Sequence, residues 1–346
     1  MSLPDQVEAT GPALDAPVAH PSALRVTLTS PLYRGATIAV FLGAVGFSAA
    51  APQIASFLVN DLGASLRAAG LFYLTSLTAP VAGYVVGRRS DRTGRRLGLF
   101  RLCAVLGFVG WIGIAYSTQL WMPYLISAVI GAFGGAATSQ LFAAIHDQLK
   151  AHPNPNNDGV VAVVRMALTG GWVIGPVAGA FLAAHTSPRT MLVATAFCTL
   201  AQIIPLGTRR SAPGEVSTPQ SPKPRPDAPT TTAMLPLLAF TGLFATSGTA
   251  AGLFIGQVLM GAVWGVFAAL GIIVAQRLLP TAVATASAIF ISSTALASAL
   301  GGAAGGLAAA AIGLPLVFLI PAAAGLLATI GLALMVRTDS ASAAGH

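Results

Sequence analysis

The sequence predicts an all-α integral membrane protein, and three observations carry that prediction. Only 8% of the residues are charged while 55% are hydrophobic, and the mean hydropathy of +0.78 lies far outside the soluble range. Apolar runs of about 20 residues, the length that crosses a hydrocarbon core, recur along the chain. Between two of them a short loop, Gly87-Arg88-Arg89-Ser90-Asp91-Arg92-Thr93-Gly94-Arg95-Arg96, gathers five arginines and one aspartate. Hydrocarbon cannot solvate such a segment, so it must lie at a membrane surface, and its arginine excess points to the cytoplasmic one.

Residues 1–30 are rich in Pro, Ala and polar residues, with no basic stretch running into an apolar one, and read as a disordered cytoplasmic tail rather than a signal peptide. Spans are expected at about 33–58, 65–86, 98–117, 120–145, 160–184 and 187–206, making residues 31–206 a six-helix half. Residues 207–232, with Arg209, Arg210, Lys223 and Arg225 among prolines, read as a cytoplasmic linker. Spans at about 233–249, 252–277, 282–309 and 312–336 follow, so residues 233–337 form a four-helix half, and 338–346 a second cytoplasmic tail. Of the 18 Lys and Arg, this topology puts only Arg67 and Arg189 outside and Arg165 within a helix; the other fifteen lie in or beside cytoplasmic segments.

The same charge pattern disposes of other classes. A net charge of +8 suggests nucleic acid, yet no aromatic residues interleave with the basic ones, and positive-inside topology accounts for them better. Cys103 and Cys198 fall inside apolar runs, where a free thiol is a small hydrophobe, so neither a disulfide framework nor a metal site is implied. No nucleophile and base pair, phosphate loop or metal-ligand cluster is discernible, which argues against an enzyme and against a cofactor. Small residues recur four apart at Gly131 and Gly135, at Gly171, Gly175 and Gly179, at Gly261 and Gly265, and at Gly301 and Gly305, where helices are expected to approach closely.

The arginine loop matches the G-x-x-x-D-R-x-G-R-R pattern between the second and third helices of the major facilitator superfamily, which the chain thus resembles. Gly171-Trp172-Val173-Ile174-Gly175-Pro176-Val177-Ala178-Gly179 is similar to the G-x-x-x-G-P-x-x-G motif of exporters in that superfamily. Gly70-Leu71-Phe72-Tyr73, Ser139-Gln140-Leu141-Phe142 and Val164-Arg165-Met166 narrow the resemblance to its sugar efflux transporters. The likeness implies a helical bundle of two halves with substrate bound between them near the membrane midplane. It also implies a departure, because such transporters have twelve helices and this chain has about ten. Gln257 and the Gln276-Arg277-Leu278-Leu279-Pro280 stretch resemble the ninth and tenth helices, and the loop Thr246 to Ala250 is uncharged, so helices seven and eight are expected to be absent.

The function so implied is export of sugars or glycosides by alternating access at the inner membrane, with both termini cytoplasmic. A multidrug exporter of the same superfamily and a shortened, non-transporting remnant are the alternatives. A sugar presents hydroxyls and apolar ring faces, so its site needs neutral hydrogen-bonding groups and aromatic platforms. Tyr73, Gln140, Trp172, Gln257 and, less so, Trp264 fit that chemistry, each weighed against a bond to a neighbouring helix. Arg165, about 9 Å beyond its helix start, is an intramembrane charge and a substrate candidate, unless it snorkels to the surface or pairs with Asp158 or Asp147. The resemblance assigns gating to Asp91, Arg92, Gly94 and Arg95, with Asp91 facing the start of a later helix near Pro280 and Thr281, and to the kink at Gly175 and Pro176. No Asp or Glu lies mid-span to couple a proton; Asp61, Asp147 and His146 sit at span ends, and downhill efflux stays open. Membrane lipid is the expected surrounding, and a homo-oligomer would be one way to replace a missing wall.

Overall fold

The structure, a computed structural model, describes residues 22–153, 156–209, 247–249, 251–252, 255–256, 258–259, 283–328 and 330–331. Every regular element among the described residues is helical, and seven helices are long and apolar enough to cross a membrane. A short α1, Ala23–Thr29, precedes α2, Pro31–Asn60. Then come α3, Leu66–Thr93; α4, Arg96–Ala115; α5, Trp121–Ala151; α6, Asn157–His185; α7, Pro188–Leu206; and α8, Val283–Ile312. The spans expected at about 233–249 and 252–277 fall mostly outside the described residues, as do most of the 207–232 linker, Gln257, Gly261, Trp264, Gly265, Pro280 and Thr281.

Local chemistry fixes the helix starts. Ser65 and Ser187 each turn a side-chain oxygen toward a backbone N–H three residues on, from Ala68 at 3.2 Å and Thr190 at 3.1 Å, and so satisfy donors that the first turn leaves unpaired. Pro31 and Pro188 stand at first turns, where a missing N–H costs nothing. At the end of α7 the Arg101 guanidinium donates to the carbonyls of Gly207 at 2.8 Å and Arg209 at 2.6 Å, tying the start of the expected linker to α4.

One expectation is corrected here. The segment Gly87 to Arg96 is not a loop: α3 stays helical to Thr93, and only Gly94 and Arg95 join it to α4. Leaving hydrocarbon does not end a helix, because its backbone bonds stay internal in water too. The helix ends where Gly94 takes a left-handed φ of 63° and returns its N–H to the Ser90 carbonyl. For the same reason α5 runs to Ala151 rather than about 145. The expected span at about 312–336 is interrupted at Gly313, φ 85°, after which come Leu314–Val317 and Leu319–Ala328.

The first six spans pack as a bundle in which α2 lies against α6 and α7, α4 against α5 and α7, and α3 against α5. Two hydrophobic clusters hold it, one at each end. Leu97, Phe100, Leu141, Ile145, Val160 and Leu206 are buried at the end bearing the arginines, called the basic end below. Ile54, Phe57, Leu58, Phe72, Met191 and Leu192 are buried at the far end. Large apolar side chains such as Val81, Tyr84, Met166 and Val177 are exposed on the outside, a surface suited to lipid rather than water.

Three of the glycines four apart do form a close seam. A Cβ at Gly171 would sit 2.5 Å from that of Ala44, and one at Gly179 would sit 2.7 Å from the Ala49 carbonyl. Ser48 crosses the seam, donating its hydroxyl hydrogen to the Gly171 carbonyl at 3.0 Å. The other expected pairs hold in part. Gly131 lies against Gly110 of α4, where a Cβ on Gly110 would sit 3.6 Å from the Gly131 nitrogen, but Gly134 rather than Gly135 meets Gly107, and Gly302 and Gly306, not Gly301 and Gly305, meet α3.

Candidate functional site

Between the two hydrophobic clusters six glycines leave room in the bundle, and a cavity of about 470 Å³ opens there. Gly43, Gly107, Gly110, Gly131, Gly134 and Gly135 form much of its wall, with Phe47, Phe72, Tyr73, Trp111 and Trp172 as aromatic faces. Its polar groups are Thr75, Ser76, Ser127, Thr138, Thr199 and Gln202, and among the described residues no charged side chain lines it. Every described lining residue lies on α2 to α7. The size is that of a small-molecule pocket, mostly apolar with few polar groups.

Two helices leave α geometry at this level. In α3 the segment Phe72–Thr78 is a 3₁₀ helix, and in α5 the segment Ser127–Gly131 is a π turn. Such interruptions rotate side chains out of the regular helical register and are common at functional positions. The Thr75 and Ser127 hydroxyls meet across the two segments at 2.8 Å. Tyr73 donates its phenol hydrogen to the Ala51 carbonyl at 3.1 Å, so α3 is fixed to α2 as well.

The structure brings Tyr73 and Trp172 of the expected residues into this cavity. Trp172, on α6, packs its ring at 60° to that of Phe47 with centroids 5.8 Å apart. Gln140 does not line the cavity; it is buried on α5 with its Oε1 lacking a hydrogen-bond partner. Arg165 is exposed on α6, without an ion pair among the described residues. It lies seven residues before Trp172, about 10 Å toward the basic end and on nearly the same helix face. Thr75, Ser76, Trp111, Ser127 and Gln202 escaped the sequence reading. Polarity inside an apolar run was the available signal, but Ser and Thr are muted in helices because they bond carbonyls of the preceding turn.

At the basic end Arg96 is the hub. It donates to Asp91 at 2.5 Å, to Asp147 at 2.9 Å and to the Ser90 hydroxyl at 2.9 Å. Asp147 is thus engaged with Arg96, not with Arg165, and it is buried while Asp91 is largely exposed. Arg92 and Arg95 are exposed around this hub. His146 Nδ1 is 3.8 Å from Asp147, and Asp61 ends α2 at the far end. Gly175 faces the Val45 carbonyl and Ser48 of α2, and Pro176 lies inside α6.

At the far end α8 lies against α3. It packs along Leu66–Thr78 of α3 and scarcely touches Ala79–Thr93. A Cβ at Gly70 would sit 2.6 Å from the Gly306 Cα and 2.9 Å from the Gly302 carbonyl, while Gly302 lies against the Tyr73 ring. One cavity-lining side chain is therefore held by the second half of the chain.

Sequence comparison places the molecule. The family model described as Major Facilitator Superfamily matches residues 36–236. The chain belongs to that superfamily. A protein of Deinococcus radiodurans named for sugar efflux is 27% identical over 192 residues, 55% of this chain and 49% of its own length. Sugar efflux transporter B of Salmonella typhimurium is 26% identical over 145 residues, 40% of this chain and 35% of its own length. Multidrug resistance protein MdtG of Klebsiella pneumoniae is 28% identical over 162 residues, 45% of this chain and 38% of its own length. The chain thus spans about half, or less, of the curated relatives it matches. The solved structure of nucleoside transporter NupG (D323A mutant) superposes with a TM-score of 0.73 at 14% identity, covering 88% of this chain and 99% of that one. At that identity it shows a shared fold, a helical, multi-pass membrane bundle of the facilitator type.

Proposed function

We propose that this chain exports sugars or glycosides across the cell membrane by alternating access. The cavity carries the reading: aromatic faces and neutral hydroxyls, with no charge among the described lining residues, suit a sugar ring better than a cation, which a carboxylate would favour. The relatives named for sugar efflux support it, and the MdtG relative keeps a multidrug substrate as the second reading. The basic end is read as cytoplasmic from its arginines, which makes the α3 and α8 seam an outer closure and the described state inward-facing. Single cysteines placed at Arg92 or Arg95 should react with an impermeant thiol reagent only after intact cells are opened; labelling beforehand reverses the orientation.

In this reading Tyr73 and Trp172 contact the substrate, and Arg165, on the Trp172 face of α6, stands on the path from the cytoplasm. Gln140 and Gln257 are the remaining sequence candidates, and Asp91, Arg92, Gly94, Arg95, Gly175 and Pro176 serve gating. From the sequence, helices seven and eight of the superfamily's twelve-helix pattern are read as absent, which would make the second half a shortened partner to the first. Protein reconstituted in liposomes should carry labelled lactose and leave a cationic dye behind. In the same vesicles Arg165→Ala should abolish lactose movement while the protein still inserts. Dye transport without lactose transport would replace the sugar reading by the multidrug one, and movement of neither would support a remnant.

A further inference from the structure

Hydrogen positions in the cavity wall follow from counting donors. A hydroxyl has one hydrogen and two acceptor lone pairs. Thr75 reaches the Phe72 carbonyl at 2.8 Å and the Ser127 hydroxyl also at 2.8 Å, and both contacts are hydrogen bonds at once only when Thr75 donates to the carbonyl and Ser127 donates to Thr75. Ser76 gives its hydrogen to the Tyr73 carbonyl at 2.6 Å, and Tyr73 gives its own to Ala51 at 3.1 Å. All four hydroxyls have spent their hydrogens on protein acceptors. What they offer the cavity is oxygen lone pairs.

We propose that the wall formed by Tyr73, Thr75, Ser76 and Ser127 recognises its ligand only as a hydrogen-bond donor, and that Thr75 sets this polarity by holding the Ser127 hydrogen. The inference rests on the assignment of the cavity as the substrate site and adds what that site reads. Other donors do line the cavity: the Thr138 hydroxyl, one amide N–H of Gln202 beyond the one given to Thr199, and the indoles of Trp111 and Trp172. None of them belongs to the 3₁₀ and π segments, so a ligand group seated there meets acceptors alone. A neutral polyol ring supplies what the wall lacks, an O–H at the wall with an apolar ring face against the aromatic side chains.

A ketone accepts hydrogen bonds well and donates none, which makes the test direct. Purified full-length protein is titrated with phenyl β-glucoside, and separately with cyclohexanol and cyclohexanone, following tryptophan fluorescence. Cyclohexanol should bind about three- to tenfold more tightly than cyclohexanone, the worth of one hydrogen bond. Thr75→Val frees the Ser127 hydrogen to enter the cavity, where a ketone can accept it, so the ratio should fall toward one. Cyclohexanone binding as tightly as cyclohexanol in the parent would overturn the proposal, as would a ratio that survives Thr75→Val. Cyclohexanol preferred while no glucoside binds would leave the wall inference standing and remove the glycoside reading; no binding of either kind of probe would sink both.

Discussion

Valine in place of Gly306 is expected to abolish export while leaving the six-helix half folded. The Cβ it adds would sit 2.5 Å from the Gly70 Cα and 2.7 Å from the Leu66 carbonyl, both backbone atoms that cannot swing aside as a side chain would. Relief requires α8 to withdraw from α3. Overpacking of this kind costs about 1–3 kcal/mol, and here it falls on one conformation only, the one with the far end closed. A differential of about 3 kcal/mol shifts that conformation's population by roughly a hundredfold. Gly305 provides the control, since a Cβ there meets nothing within 4 Å. Gly305→Val should therefore transport like the parent. In Gly306→Val, a cysteine introduced by Ser76→Cys on the cavity wall should become reactive to an impermeant reagent from the far side. Equal transport by the two valine variants would mean that the seam plays no part in closure.

The same comparison explains what the sequence could and could not reveal about packing. Glycines four apart signal a close helix seam, and at Gly171, Gly175 and Gly179 only one register exists, so the seam was legible from spacing. At Gly301-Gly302 and Gly305-Gly306 the glycines come as doublets, and two registers satisfy the spacing equally. Which one faces α3 is decided by the position of Tyr73, whose ring lies on Gly302, and no local signal carries that. The spans themselves were legible to within a few residues because lipid demands about 20 apolar residues whatever packs around them. Their ends were not, since α3 continues through five polar or charged positions from Arg88 to Arg92 until Gly94 stops it.

The site divided along similar lines. Tyr73 and Trp172 stand out in an apolar run, and both reach the cavity. Thr75, Ser76 and Ser127 are ordinary helix residues by sequence, and only the 3₁₀ and π segments place them side by side. For the 3₁₀ segment a marker was there: Pro80 has no N–H for the Ser76 carbonyl, which Ala79 bonds instead, whereas the π turn Ser127–Gly131 contains no proline. Arg165 looked like a buried charge from its depth along the helix alone. The structure exposes it because the face of α6 that carries it is not the Gly171 face that meets α2.

Asp147→Ala should lower the thermal stability of the bundle far more than removal of Asp91, the other carboxylate that Arg96 holds at the basic end. Asp147 is buried, with a side-chain exposure of 6%, and Arg96 at 15% depends on it for a bond from Nε. Removing one partner of a buried pair leaves the other desolvated and unpaired, an effect of about 3–5 kcal/mol. Here the lower end is expected, because Arg96 keeps Asp91 and the Ser90 hydroxyl on its other nitrogen. Asp91→Ala should cost far less, since Asp91 is 70% exposed and water replaces what it gives. Two further variants separate charge from packing. Asp147→Asn keeps an acceptor for Arg96 Nε and should recover most of the loss. The double variant Arg96→Leu with Asp147→Leu removes both charges from the buried site and should melt closer to the parent than Asp147→Ala does. Melting of the purified protein in one detergent, followed by the helical signal, measures all four. If Asp91→Ala proves the more damaging of the two alanine variants, the Arg96 hub is organised by its exposed partner, and α5 is not what anchors the α3 and α4 turn.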